Sequence, residues 1–240
     1  MHDSSKSDIA RKEIQIMEAL NASGRIVNLL GFEIDTVKNG SLLDTLQQRE
    51  KINEKFEFNT IIRISKQISE CISCLHDKKF RIIHCDIKAE NILIDHTGKL
   101  KICDFGSCLT ERIENIHIQN VKNLQDQLNT QTTPAYRAPE IVDLYRRHPI
   151  TEKVDIWAFG VLIFYVTTFQ LPFSTTLGAA NSNWPREKLH EYPVEYVQLL
   201  DPLLRPNIFQ VHDVICQLNN SQNSLNPLVI PLENRNSLSN

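Results

Sequence analysis

Between Arg81 and Gly106 the chain sets an acid, a lysine two residues on, an amide five residues on, and a second acid at Asp104. Ile92-Leu93-Ile94 and Leu100-Lys101-Ile102-Cys103 are short apolar runs, and Asp95-His96-Thr97-Gly98 between them is a turn signal. The stretch therefore reads as a β-hairpin. Closing it brings Asn91, ahead of the first strand, beside Asp104, beyond the second, with Asp86 and Lys88 immediately upstream. A lone acid-aromatic-glycine triplet is common in turns. The order and spacing of the four polar residues around one hairpin carry the information.

That set, His84-Cys85-Asp86, Lys88, Asn91 and Asp104-Phe105-Gly106, resembles the catalytic core of the protein kinases. The resemblance implies an α+β, protein-kinase-like fold with a mainly helical large lobe. It also implies ATP and Mg2+ as cofactors and the serines or threonines of proteins as acceptors. Phosphoryl transfer needs positioning and charge stabilisation more than covalent chemistry from the protein. By resemblance, Asp86 is the catalytic base, Lys88 neutralises the moving phosphoryl group, Asn91 binds one magnesium and Asp104 binds both.

Further strings extend the likeness. Thr133-Pro134-Ala135-Tyr136-Arg137-Ala138-Pro139-Glu140 is similar to the segment that closes a kinase activation loop, and Thr133 is the mark of a serine/threonine enzyme. Asp155 opens a run so apolar through Val166 that a helix buried on all sides is expected. The resemblance makes Asp155 an anchor for the catalytic-loop backbone and Arg205 the partner of Glu140. Upstream, apolar residues at helical spacing from Asp8 to Met17, with Ser7 as a cap candidate, predict an amphipathic helix. In the kinase frame Glu13 is its ion-pair glutamate. Arg11-Lys12-Glu13-Ile14-Gln15-Ile16-Met17 with Arg25-Ile26-Val27, the string from Tyr136 to Tyr145, and Leu171-Pro172-Phe173 resemble the adaptor-associated and actin-regulating kinases, the Ark/Prk branch. That likeness implies endocytic or actin-regulating substrates.

The pattern is incomplete on one side. Twelve residues precede Glu13, and they hold neither a Gly-rich phosphate loop nor a lysine on a separate strand. After Val27 the chain runs almost directly to Val37, where kinases place two strands, with Phe32 to Val37 as the candidate hinge. A truncated small lobe is expected: residues 1–36 as its remnant, 37–218 as the large lobe and 219–240 as a flexible Asn/Ser-rich tail. Two alternatives stay open. The chain is a catalytically impaired binding scaffold, or the missing segment is encoded upstream. Cys85 replaces the catalytic-loop arginine that receives an activation-loop phosphate, so no phosphate switch is expected in the Ser107–Thr133 loop. Within that loop, the polar stretch Gln119–Gln127 reads as partly ordered.

At 240 residues and 41% hydrophobic, the chain can build one sizeable core. Its net charge of −3 gives no argument for nucleic acid. No apolar run is long enough to span a bilayer and no secretory pattern opens the chain, so a cytoplasmic location is expected. The six cysteines fall within predicted elements and read as free thiols, the Cys71/Cys74 pair included. Those two lie on a predicted core-facing helix, Thr60–Leu75. His84 reads as a packing and backbone-bonding residue.

Overall fold

The computed structural model describes residues 3–20, 25–26, 29–30, 33–34, 40–173, 184–201 and 205–221. Helix α1 spans Asp3–Leu20 and buries Ile16, Met17 and Leu20. It starts four residues before Ser7, which is therefore inside the helix and not its cap. Arg25 and Ile26 follow. Ile102 donates its N–H to the Arg25 carbonyl (3.2 Å), and the Arg25 guanidinium meets Glu70 at 2.5 Å. Two-residue strands β1 (Leu29–Leu30) and β2 (Glu33–Ile34) pair antiparallel, Leu29 with Ile34 and Leu30 with Glu33. Two strands do occupy this region, compressed to a minimal hairpin. The expected hinge lies outside the described residues except for β2.

Helix α2 (Leu42–Lys51) opens with a reciprocal cap: the Asp44 N–H donates to Ser41 Oγ (3.2 Å) and the Ser41 N–H to Asp44 Oδ2 (2.8 Å). Gly40 just before it has φ +78°, and a Cβ there would lie 2.7 Å from Asp44 Oδ2. Helix α3 (Phe58–His76) carries the predicted stripe, with Ile61, Ile64, Ile68, Ile72 and Leu75 fully buried. Each such side chain contributes about 1.5–3 kcal/mol on leaving water, which is what holds a helix of modest intrinsic propensity in place.

The predicted hairpin forms from β3 (Ile92–Ile94) and β4 (Leu100–Ile102), in register Ile92 to Ile102 and Ile94 to Leu100. Its turn is fixed by Asp95, whose Oδ1 accepts from the N–H groups of Thr97 (2.8 Å) and Lys99 (3.0 Å). Helix α4 (Val121–Gln131) stands where the sequence reads as a partly ordered loop. Its polar surface hides two buried anchors, Val121 and Leu128, one helical face apart. After the short α5 (Pro139–Val142), α6 (Lys153–Thr168) is buried on nearly every side. Helix α7 (Val194–Leu199) and helix α8 (Ile208–Ser221) complete the large lobe, α8 packing on α3. The last described helix thus extends three residues past the tail boundary expected from composition, and residues 222–240 lie outside the described ones. No described helix is long and apolar enough to cross a membrane.

Candidate active site

The turn before β3 is built on a left-handed residue, Cys85 at φ +66°. It turns two consecutive N–H groups toward one acceptor: His84 N–H donates to Asp155 Oδ2 and Cys85 N–H to Asp155 Oδ1, both at 2.8 Å. Asp155 is fully buried on α6, and His76 Nε2 from the end of α3 meets Oδ2 at 2.8 Å. The His84 ring ties the same turn to β4. Its Nδ1 accepts from Asp86 N–H (3.3 Å), so Nε2 carries the proton and donates to the Cys103 carbonyl (3.1 Å). Burial lowers the His84 pKa, with Asp155 pulling the other way. His84 is thus a brace between the two acidic positions.

Asp86 emerges from that turn nearly buried. Its Oδ1 accepts from Thr133 N–H (3.0 Å) and Thr133 Oγ1–H (2.7 Å), and Lys88 Nζ lies 2.7 Å from Oδ2. Lys88 also donates to Thr133 Oγ1 (2.9 Å), closing a ring of acid, lysine and hydroxyl. Asn91 Nδ2 donates to the Asp86 carbonyl (2.8 Å) and to Oδ2 (3.3 Å), and Cys103 N–H donates to the Asn91 carbonyl (3.0 Å). The amide nitrogen is therefore committed, and the amide oxygen is the end available to a cation. Asp104 follows in the left-handed region at φ +63°. The next N–H, of Phe105, donates to Glu13 Oε1 (3.2 Å) across from α1, and Lys12 Nζ donates to the Cys108 carbonyl (2.5 Å).

The protein kinase domain family matches residues 1–202. This chain belongs to the protein kinase family. A probable serine/threonine-protein kinase of Dictyostelium discoideum is 35% identical over 234 residues, covering 88% of this chain and 21% of its own length. Serine/threonine-protein kinase AKL1 of Saccharomyces cerevisiae is 34% identical over 249 residues, 94% of this chain and 22% of its own. Actin-regulating kinase PRK1 of the same yeast is 32% identical over 210 residues, 82% of this chain and 26% of its own. The chain thus spans roughly a fifth to a quarter of the length of these relatives, which include the actin-regulating branch that the sequence strings resemble.

The donor set fits a kinase magnesium site. Mg2+ takes oxygen ligands, keeps several waters, and relies on one or two carboxylates plus substrate phosphates. Asn91 Oδ1 and the Asp104 carboxylate are oxygen donors of the kind that would supply such a partial shell. A preformed cluster of three His, Cys, Asp or Glu groups is absent among the described residues, and a metal completed by phosphate does not need one. The sequence offers Glu13 no lysine on a separate upstream strand to pair with. Among the described residues its carboxylate instead accepts from the Phe105 backbone, so α1 is docked on the large lobe directly.

Two features of this kinase lobe had no role in the sequence reading. Lys12, next to Glu13, clips the backbone on the other side of Gly106; a cation one position from an expected functional acid was the available signal. Arg137 gathers the C-terminal end of α4, donating through Nε to Thr132 Oγ1 (2.7 Å) and through Nη2 to the carbonyls of Asn129 (2.9 Å) and Thr132 (2.7 Å). Together with Ser107 Oγ donating to the Gln131 carbonyl (2.5 Å), it pins the helix to the segment that carries Thr133. Cys85, at the position of the phosphate-receiving arginine, is buried, and burial holds its thiol well above the ordinary range, so it offers no charge there.

Glu140 and Arg205 meet as expected. Arg205 Nη1 donates to both carboxylate oxygens, at 2.6 and 2.9 Å, while its guanidinium lies 5.6 Å from the centre of the Trp157 ring. The glutamate side chain is 7% exposed and the arginine 27%, so the pair is only partly screened. Arg205→Ala strands the carboxylate and is expected to cost about 3 kcal/mol, the lower end of what removing one partner of a buried pair costs. Urea denaturation followed by circular dichroism reads this directly; an unchanged midpoint would assign the pair no structural role.

Proposed function

We propose that the chain is the catalytic portion of a serine/threonine protein kinase that transfers the γ-phosphoryl group of ATP to protein serine or threonine side chains. The observation that carries the reading is the Asp86 carboxylate held between Lys88 and Thr133, with the Asn91 nitrogen spent on the same residue. A carboxylate so held can accept the proton of an acceptor hydroxyl and orient its oxygen. Lys88 Nζ balances negative charge beside it. Asn91 and Asp104 would hold magnesium, which when bound neutralises the phosphate oxygens. Glu13, bonded to Phe105 N–H, fixes the backbone that presents Asp104.

The reading divides the chain into a small-lobe remnant at 1–36, a large lobe at 37–218 and a tail at 219–240. Similarity to an actin-regulating kinase supports substrates among actin-regulating proteins; endocytic substrates and a cytoplasmic site of action are part of the same proposal and rest on the sequence alone.

The deciding experiment is calorimetric titration of this chain with ATP, with and without magnesium. Magnesium-dependent binding is expected, and Asp104→Ala should abolish the magnesium-dependent part while any metal-independent part persists. Absence of metal-dependent binding in the unsubstituted chain would sink the enzymatic reading for these 240 residues and favour a protein-binding scaffold.

A further inference from the structure

We propose that Cys216 is a reactive thiol, activated by His212, and a site of oxidation by hydroperoxides. Both residues lie on α8, and His212 meets Ser69 of α3. None of the residues assigned to phosphoryl transfer lies on either helix, so this site stands independently of the kinase reading.

The direction of the proton relay follows from counting hydrogens. Ser69 Oγ has one hydrogen and donates it to the Lys66 carbonyl (2.8 Å). The same oxygen lies 2.9 Å from His212 Nδ1, so it accepts there, and Nδ1 carries the proton. In the neutral ring Nε2 is then a lone pair, and it faces Cys216 Sγ at 3.3 Å. The thiol hydrogen thus points into a base whose tautomer and ring orientation are fixed from behind by a serine on another helix. A nucleophile, a base within hydrogen-bond reach and a third group orienting the base are the arrangement that activates thiols.

Access separates Cys216 from three of the other cysteines, and the histidine beside it separates it from the rest. Cys71, Cys85 and Cys108 are buried. Burial pushes the thiols of Cys71 and Cys103 up to about 12 and those of Cys85 and Cys108 well above their ordinary value, so all four stay protonated near neutrality. Cys74 is half-buried and packs against the core. Cys216 and His212 are each partly open to solvent near the end of the last described helix.

The chemistry balances with hydrogen peroxide as oxidant. The thiol proton passes to His212 Nε2, the sulfur attacks one peroxide oxygen, the S–O bond forms as the O–O bond breaks, and the departing hydroxide leaves as water with the imidazolium proton. The products are a sulfenic acid at Cys216 and one water.

The test labels the whole chain, folded and near neutral pH, with limiting iodoacetamide and reads each cysteine by peptide mass spectrometry. A parallel sample receives hydrogen peroxide and then dimedone, which traps sulfenic acid. Cys216 is expected to react first in both, and His212→Gln should slow its alkylation by about tenfold. Ser69→Ala, which frees the ring, should slow it as well and decides the matter where the histidine variant does not fold. Cys216 reacting no faster than Cys74, or keeping its rate in whichever variant folds, overturns the proposal.

Discussion

Asp86→Asn is expected to lower single-turnover phosphoryl transfer to a protein or peptide acceptor by about 10²–10⁴-fold, the usual contribution of a positioned acid or base. The reason is local. Asparagine keeps one oxygen to accept from the Thr133 N–H and hydroxyl, so the contact between the turn that carries residue 86 and the Thr133 segment survives. Its other end becomes an NH2 facing Lys88 Nζ, where the acid had held that cation at 2.7 Å. Neither proton acceptance nor charge balance remains. Stability should change little, because Lys88 can swing toward Thr133 Oγ1 or solvent. Measuring turnover beside the urea midpoint separates the two effects. A variant with undiminished transfer removes Asp86 from the chemistry, whereas lost transfer with an equally large loss of stability makes the residue structural.

The parts of this site that were legible in the sequence are those set by short-range chemistry. The hairpin was readable because two strand-forming runs flank an Asp-x-x-Gly turn. That turn closes through Asp95 accepting backbone N–H groups, an interaction wholly within five residues. Helix α6 was readable because a run without a polar face has no stable place except inside. Asp155 was assigned by the kinase resemblance alone, and two backbone N–H groups are the donors that its buried carboxylate meets.

Other features depend on partners that no local pattern announces. Helix α4 has a weak apolar spacing, Val121, Leu124 and Leu128, in an otherwise polar run, and it is held by Arg137 and Ser107 from outside its own length. Propensity alone would leave it marginal. Glu13 was left without the strand lysine that the kinase frame pairs with it, while its observed partner is a backbone N–H ninety-two residues away. The relay from Ser69 through His212 to Cys216 joins α3 to α8. His212 and Cys216 show the i, i+4 spacing, but the serine that fixes the tautomer is visible only after packing.

Asp155→Ala should be the most destabilising single change in the lobe. It leaves the His84 and Cys85 N–H groups without an acceptor in a site fully closed to solvent, and it strips His76 of its carboxylate. Each stranded buried donor costs about 1–3 kcal/mol, so the two N–H groups alone account for a loss of roughly 2–6 kcal/mol, a large share of the 5–15 kcal/mol typical of a domain. Asp155→Asn retains one acceptor oxygen and should fall between. The effect should also deepen in acid. Burial lowers the folded-state pKa of His84 from 6.5, so its contribution is complete above that value. It is lost as pH falls below 6.5, because the unfolded chain binds a proton that the folded chain refuses. Asp155 partly opposes that shift, so removing it widens the gap between the two states. Urea midpoints for the wild type and both variants at pH 7.5 and pH 5.5 test each step. A midpoint for Asp155→Ala equal to that of the wild type would mean that the His84–Cys85 turn finds its acceptors elsewhere.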